Sequence, residues 1–85
     1  TLAGFADLSD ARKAIGYYEL HLTIARDIGD RWGEGNALFN SSLSQYKLDR
    51  LSEAIMNAEC ALQIFDQIQS PNVKRVRQQL AKWRT

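Results

Sequence analysis

The chain repeats itself, because residues 8–30 and 48–70 align without a gap at a spacing of forty residues. Seven of the 23 aligned positions are identical, whereas average residue usage predicts roughly one or two. The identical pairs are Leu8 and Leu48, Ala14 and Ala54, Ile15 and Ile55, Glu19 and Glu59, Leu22 and Leu62, Ile24 and Ile64, and Ile28 and Ile68. Most matches are apolar and helix-spaced, so we interpret them as packing positions. A repeated packing unit indicates a stacked helical array, an architecture usually used as a binding surface.

Apolar residues at steps of three and four predict helices. The predicted helices are 11–28, 31–48, 50–68 and 71–84. Residues 1–8 remain ambiguous, and a turn at 8–10 is expected to start the first helix with Asp10 as its N-cap. Gly29 is predicted to stop that helix, Asp30 to cap the next, and Ser70-Pro71 to start the last. No alternating β pattern occurs and the connections are short, so we expect an all-α fold of antiparallel neighbours.

Composition fits one small domain, with 85 residues of which 45% are hydrophobic. Charge is uneven: residues 1–70 carry a balance of −4 and residues 71–85 a balance of +5. A basic end can be an interaction tail, but we favour the solvated face of a terminal helix. Its cations spread around that helix beside an acidic body, so we expect no nucleic-acid partner.

Several classes of function find no support in the residue pattern. No apolar run is long enough to span a membrane, and the start of the chain lacks the features of a signal peptide. The single cysteine, Cys60, suits a reducing compartment, so we expect a cytoplasmic protein. We interpret Cys60 as a small core residue and His21, the only histidine, as a partly buried structural residue. No residue spacing calls for acid–base chemistry, so no catalysis, metal or cofactor is expected.

Residues 10–25 and 50–62 resemble the second helix of a tetratricopeptide repeat (TPR). The family places alanine at the close helix contact, which Ala14 and Ala54 match. The next two signature positions hold an aromatic residue and another alanine: Tyr18 keeps the first and Ala61 the second, each in one copy only. The forty-residue spacing exceeds the usual period of about 34. Residues 24–37 are similar to the long-helix subclass found in kinesin light chains and in bacterial signalling ATPases with NB-ARC domains.

The resemblance implies antiparallel helix pairs stacked as a TPR-like right-handed superhelical array. Residues 1–30 would form a partial first repeat, residues 31–70 the second repeat, and residues 71–85 a C-terminal capping helix. The pattern departs from the family in residues 31–48, where Ser41-Ser42 replaces Leu-Gly and Gln45 replaces a tyrosine that Tyr46 follows directly. Ser41 and Ser42 are poor helix formers, and they make sense if another helix packs closely over them.

In the family the first helix of each pair lines a concave groove that binds an extended peptide or a partner's helix. The resemblance places five groove residues on the second predicted helix: Asn36, Phe39, Leu43, Tyr46 and Lys47. Their counterparts in the partial first helix would be Ala3, Ala6 and Asp7. Alternatives remain open: Phe39 or Leu43 can belong to the core instead, and solvation is the simpler role for Asn36 and Lys47.

The two tryptophans are the largest side chains in the sequence. We expect Trp83 to seal the end of the core and Trp32 to pack under the turn at Gly29-Asp30. Either could instead anchor an interface, where tryptophan is over-represented. The predicted function is therefore a protein–protein interaction module of the scaffold or adaptor kind. The alternative is a homo-oligomerisation module, such as a homodimer, or a piece of a longer array that regulates an attached effector domain.

Overall fold

The structure is a computed structural model that describes residues 2–84, with side chains from Ser9 to Arg84. These residues form four α-helices: α1 (Leu2–Ile28), α2 (Arg31–Lys47), α3 (Leu51–Gln67) and α4 (Asn72–Trp83). Connections of two to four residues join them, which forces neighbouring helices to run antiparallel. Each helix packs on the next one along the chain. The all-α prediction is confirmed.

The predicted turn at residues 8–10 is wrong, because α1 runs without a break from Leu2 to Ile28. Asp10 therefore lies inside the helix and is not an N-cap. Ser9 and Asp10 disfavour helix only mildly, and neither glycine nor proline lies close enough to end it. A helix of this length measures about 40 Å, so its N-terminal part extends beyond the shorter α2.

The ends of α1 and α3 share one turn geometry. Gly29 adopts a φ of 73° and Gln69, forty residues later, a φ of 56°. The backbone N–H of Asp30 donates to the Ala25 carbonyl at 2.8 Å, and that of Ser70 donates to the Phe65 carbonyl at 2.8 Å. The end of α2 has the same geometry, since Asp49 has a φ of 61° and the Arg50 N–H donates to the Gln45 carbonyl at 2.9 Å. This turn therefore ends each of the first three helices.

The predicted stop at Gly29 and cap at Asp30 are confirmed, whereas α4 begins at Asn72, with Pro71 and not Ser70 at its N-cap. Gly29 ends α1, and the Asp30 side chain accepts from the Gly33 N–H at 2.9 Å. Before α4, the Ser70 hydroxyl accepts from the Asn72 N–H at 3.2 Å. Both side chains satisfy amides that the first turn of a helix leaves free.

The core lies between α2, α3 and α4, and it includes small residues that bring the helices close together. Its buried members are Leu38, Phe39, Ala54, Ala58, Ala61, Ile64, Phe65, Val76, Leu80 and Trp83. Ser41 and Ser42 are buried as expected. The Ser42 hydroxyl donates to the Phe39 carbonyl at 2.5 Å, so burial leaves it hydrogen-bonded.

Two predictions about single side chains are wrong. Trp32 does not pack under the turn, since 57% of it is exposed in the first turn of α2. Cys60 is also exposed instead of buried, because it lies on the outer face of α3 with Met56 and Gln63. His21 is half-buried and Trp83 is buried at the end of the core, as expected.

Candidate protein-binding surface

A depression of about 480 Å³ lies where α1, α2 and α4 meet. The second half of α2 forms most of its wall, since residues spaced by three or four share one helix face. Tyr18 closes it from α1, and Gln79 and Trp83 close it from α4. The lining residues are Tyr18, Asn40, Leu43, Ser44, Tyr46, Lys47, Gln79 and Trp83. We call this surface the α2–α4 depression.

A stacked aromatic pair forms the apolar part of the α2–α4 depression. The rings of Tyr46 and Trp83 have centroids 5.3 Å apart and planes inclined by 21°. Trp83 is held by the core, whereas 52% of Tyr46 is exposed. Leu43, half-buried against the core, extends this apolar surface. A rigid aromatic surface that remains accessible suits contact with a partner, because tyrosine and tryptophan supply large contact area at low entropic cost.

Polar groups surround the aromatic pair. Asn40 and Gln79 are half-buried, and each amide offers both a donor and an acceptor. Lys47 carries the one formal charge among the described side chains of the lining. Its ammonium lies at the C-terminal turn of α2, where the helix dipole favours a cation. The surface therefore combines apolar contact, hydrogen bonding of either polarity and a positive charge.

Three of the five predicted groove residues line the depression, namely Leu43, Tyr46 and Lys47. Asn36 is half-buried on the same side of α2, but it lies outside the lining. Phe39 belongs to the core, the alternative that the sequence left open, and the Arg75 guanidinium lies 5.4 Å from its ring centroid. The proposed counterparts Ala3, Ala6 and Asp7 lie outside the residues whose side chains are described.

Sequence reasoning missed five lining residues, for two different reasons. Asn40 and Ser44 precede Leu43 and Lys47 by three residues each and share their helix face, so helical periodicity could have found them. The other three residues, Tyr18, Gln79 and Trp83, come from α1 and α4. Their place in the lining depends on how these helices pack against α2, which no local pattern in the sequence reveals.

The basic residues of α4 make contacts with the rest of the domain. Arg84 forms an ion pair with Glu59 of α3, with 2.9 Å between Nη2 and Oε2. Arg75 lies over the Phe39 ring of α2. The first contact joins a basic residue to the acidic part of the chain, and the second is a cation–π contact. An exposed ion pair of this kind contributes little to stability.

Two other kinds of site are absent from the described part of the molecule. Within residues 9–84 no group of three histidine, cysteine or acidic side chains is placed to hold a metal ion. None of the described helices is both long enough and apolar enough to cross a membrane. A second depression, of about 660 Å³, lies on α4 and the turn before it. That surface belongs to one helix, whereas the α2–α4 depression joins three.

Comparison with known protein families, with curated proteins and with solved structures finds no match.

Proposed function

We propose that this chain is a protein–protein interaction module that binds an extended peptide or a partner's helix in the α2–α4 depression. The observation that carries the proposal is the Tyr46–Trp83 stack, which is fixed to the core on one side and accessible on the other. The volume of about 480 Å³ lies within the range of ligand pockets. It has room for a few side chains of a peptide.

The lining indicates what such a ligand would carry. An apolar side chain would lie on Leu43 and the aromatic pair, where it loses contact with water. The amides of Asn40 and Gln79 would pair with the backbone of the ligand, which offers donors and acceptors in turn. We therefore infer a ligand with an apolar anchor and an accessible backbone beside it.

We also propose that the architecture is of the TPR type, with α4 as the closing helix of a right-handed superhelical array. The forty-residue sequence repeat supports this proposal, and so does the close packing of α2 on α3. In this arrangement α2 and α4 are successive inner helices. The α2–α4 depression is then the inner, concave side of the array.

The proposed module has no catalysis of its own and acts as a scaffold or adaptor. The described side chains that line the depression include no carboxylate, histidine or cysteine that could serve Ser44 or Lys47 as an acid–base partner. Binding alone is the chemistry that this lining supports.

The test is peptide selection from a random library followed by calorimetric titration of variants. Tyr46→Ala removes the accessible ring while leaving the core residues in place, so we expect binding to weaken at least tenfold. Met56→Ala is the matched control, because Met56 is also exposed but lies on α3, outside the lining of the depression. The affinity of this variant for the peptide should equal that of the wild type. Equal affinity of both variants would refute the assignment. Phe39→Ala is unsuitable, since it would create a cavity in the core.

A further inference from the structure

The outer face of α1 carries a continuous row of large apolar side chains. Tyr17, Leu20, Ile24 and Ile28 follow one another at steps of three or four residues and are 49% to 72% exposed. Residues at these steps lie along one side of a helix, so they form a single patch, which we call the α1 stripe. Exposed apolar patches of this kind mark interaction sites.

The internal repeat shows what covers the corresponding face of α3. Forty residues after the α1 stripe come Asn57, Cys60, Ile64 and Ile68. On that side of α3 the Asn57 amide donates to the Gln45 side chain of α2 at 2.9 Å. Ile64 is 5% exposed, whereas its equivalent Ile24 is 49% exposed. In the second unit this face is therefore partly covered, by contacts at Asn57 and Ile64, whereas Cys60 and Ile68 are exposed. No described helix covers the equivalent residues on α1.

The side chains of the α1 stripe are too large for another helix to pack on α1 as closely as α2 packs on α3. The approach of α2 to α3 depends on small side chains, and Tyr17 and His21 stand on α1 where α3 has Asn57 and Ala61. A helix with small residues would leave gaps against Tyr17 and His21. A helix whose own large side chains interdigitate with the stripe fits better, at the ordinary separation of about 8 to 10 Å.

The charges beside the stripe are arranged for a two-fold partner. Lys13 and Asp27 lie seven residues before and after Leu20. Both are exposed, and neither forms an ion pair within residues 9–84. In an antiparallel pair of α1 helices with Leu20 at the axis, Lys13 of each copy faces Asp27 of the other, and Tyr17 faces Thr23, next to Ile24. Such an isologous contact pairs the same patch with itself.

The far end of the domain does not offer a matching surface for head-to-tail stacking. The outer face of α4 carries Lys74, Arg77 and Gln78, all of them exposed. An apolar stripe would desolvate these cations without compensation. The stripe therefore complements a second copy of itself and not the other end of the chain.

We propose that this chain forms an antiparallel, two-fold symmetric dimer in which the α1 stripes of two copies cover each other. The contact does not depend on ligand binding in the α2–α4 depression. The stripe and its flanking charges span residues 13–28, about 24 Å of helix, so the contact is expected to bury less than the roughly 1,200 Å² or more of stable complexes. We therefore expect a dissociation constant in the micromolar range.

Sedimentation velocity across micromolar concentrations of the intact chain tests the dimer. The wild type should shift from monomer to dimer mass as concentration rises. Leu20→Glu places two carboxylates together at the axis, so the dimer should weaken at least about tenfold. Met56→Glu introduces the same charge at an exposed apolar position of α3 and should dimerise like the wild type. Circular dichroism checks that each variant keeps its helices.

A charge swap tests the antiparallel arrangement itself. Lys13→Glu alone and Asp27→Lys alone each set like charges opposite one another, so each should weaken the dimer, most strongly at low salt. The double variant restores opposite charges and should recover the wild-type affinity. A strict monomer at all concentrations, a dimer indifferent to Leu20→Glu, or a double variant no better than the single ones would overturn the proposal.

Discussion

A methyl group on Gly35 would lie 2.6 Å from Cε1 of Phe65, a residue that is completely buried. The two residues face each other across the contact between α2 and α3. Carbon atoms in contact normally lie about 3.5 to 4.0 Å apart, so the absence of a side chain at position 35 allows this helix separation. This contact sets the separation between α2 and α3. It therefore also fixes where α2 forms the wall of the α2–α4 depression.

Gly35→Ala should therefore destabilise the protein by about 1–2 kcal/mol. Forcing a methyl group into a packed core costs about 1–3 kcal/mol, and the higher helix propensity of alanine offsets up to about 1 kcal/mol. Urea unfolding followed by circular dichroism measures the change. Gly16→Ala is the matched control, because a methyl group there would meet nothing within 4 Å; it should stabilise by up to about 1 kcal/mol. Equal effects of the two substitutions would contradict this packing.

The repeated turn makes a second prediction about stability. Gln69 has a φ of 56°, in the left-handed region where a side chain costs about 1 kcal/mol or more, and its equivalent in the first unit is Gly29. Gln69→Gly should relieve that strain and stabilise the fold by a few tenths to about 1 kcal/mol. Gly29→Ala should destabilise it by a similar amount. A lower urea midpoint for Gln69→Gly would mean that the turns are not equivalent.

The two tryptophans should differ in fluorescence. Trp83 is 8% exposed and stacks on Tyr46, whereas Trp32 is 57% exposed. A Trp32→Phe variant, which reports on Trp83 alone, should emit at shorter wavelength and resist quenching by acrylamide. A Trp83→Phe variant should emit like a solvated indole and quench readily. Similar quenching constants at low protein concentration would show that Trp32 packs under the turn, as the sequence had suggested.

Cys60 should react with a thiol reagent in the folded protein, because its side chain is exposed on α3. We expect one equivalent of Ellman's reagent to be consumed at the same rate with and without denaturant, within a few-fold. A reaction that requires denaturant would place Cys60 in the core. The comparison is direct because the chain contains no other cysteine.

The sequence predicted those parts of the fold that local chemistry determines. Gly29, Asp30 and Ser70 act at helix ends through their own backbone or side chains, so their roles could be read without a structure. The break expected near Asp10 came from reading residues 8–10 as a turn with an N-cap, and it fails because Ser9 and Asp10 disfavour helix too weakly to end one. The predictions for Trp32 and Cys60 were wrong for another reason. Both residues lie at the edge of an apolar helix face, where a small error in the predicted rotation of the helix exchanges buried and exposed positions.

In the candidate site, too, the sequence predicted the residues that local spacing places and missed those that helix packing places. Leu43, Tyr46 and Lys47 share one face of α2, so helical spacing placed them together. The partner of Tyr46 in the stack is Trp83, which lies 37 positions further along the chain. Their contact depends on how α4 closes over α2 and α3, a result of packing among three helices. The sequence left open whether Phe39 belongs to the groove or to the core. In the structure Phe39 packs in the core.

The most direct measurement of the central claim is a nuclear magnetic resonance titration of the isotope-labelled protein with a library-selected peptide. If the α2–α4 depression is the binding surface, the largest amide shifts will fall in residues 40–47 and 79–83, and the Trp83 indole signal will move with them. Shifts confined to the α1 stripe or to the outer face of α3, with these residues unchanged, would contradict it.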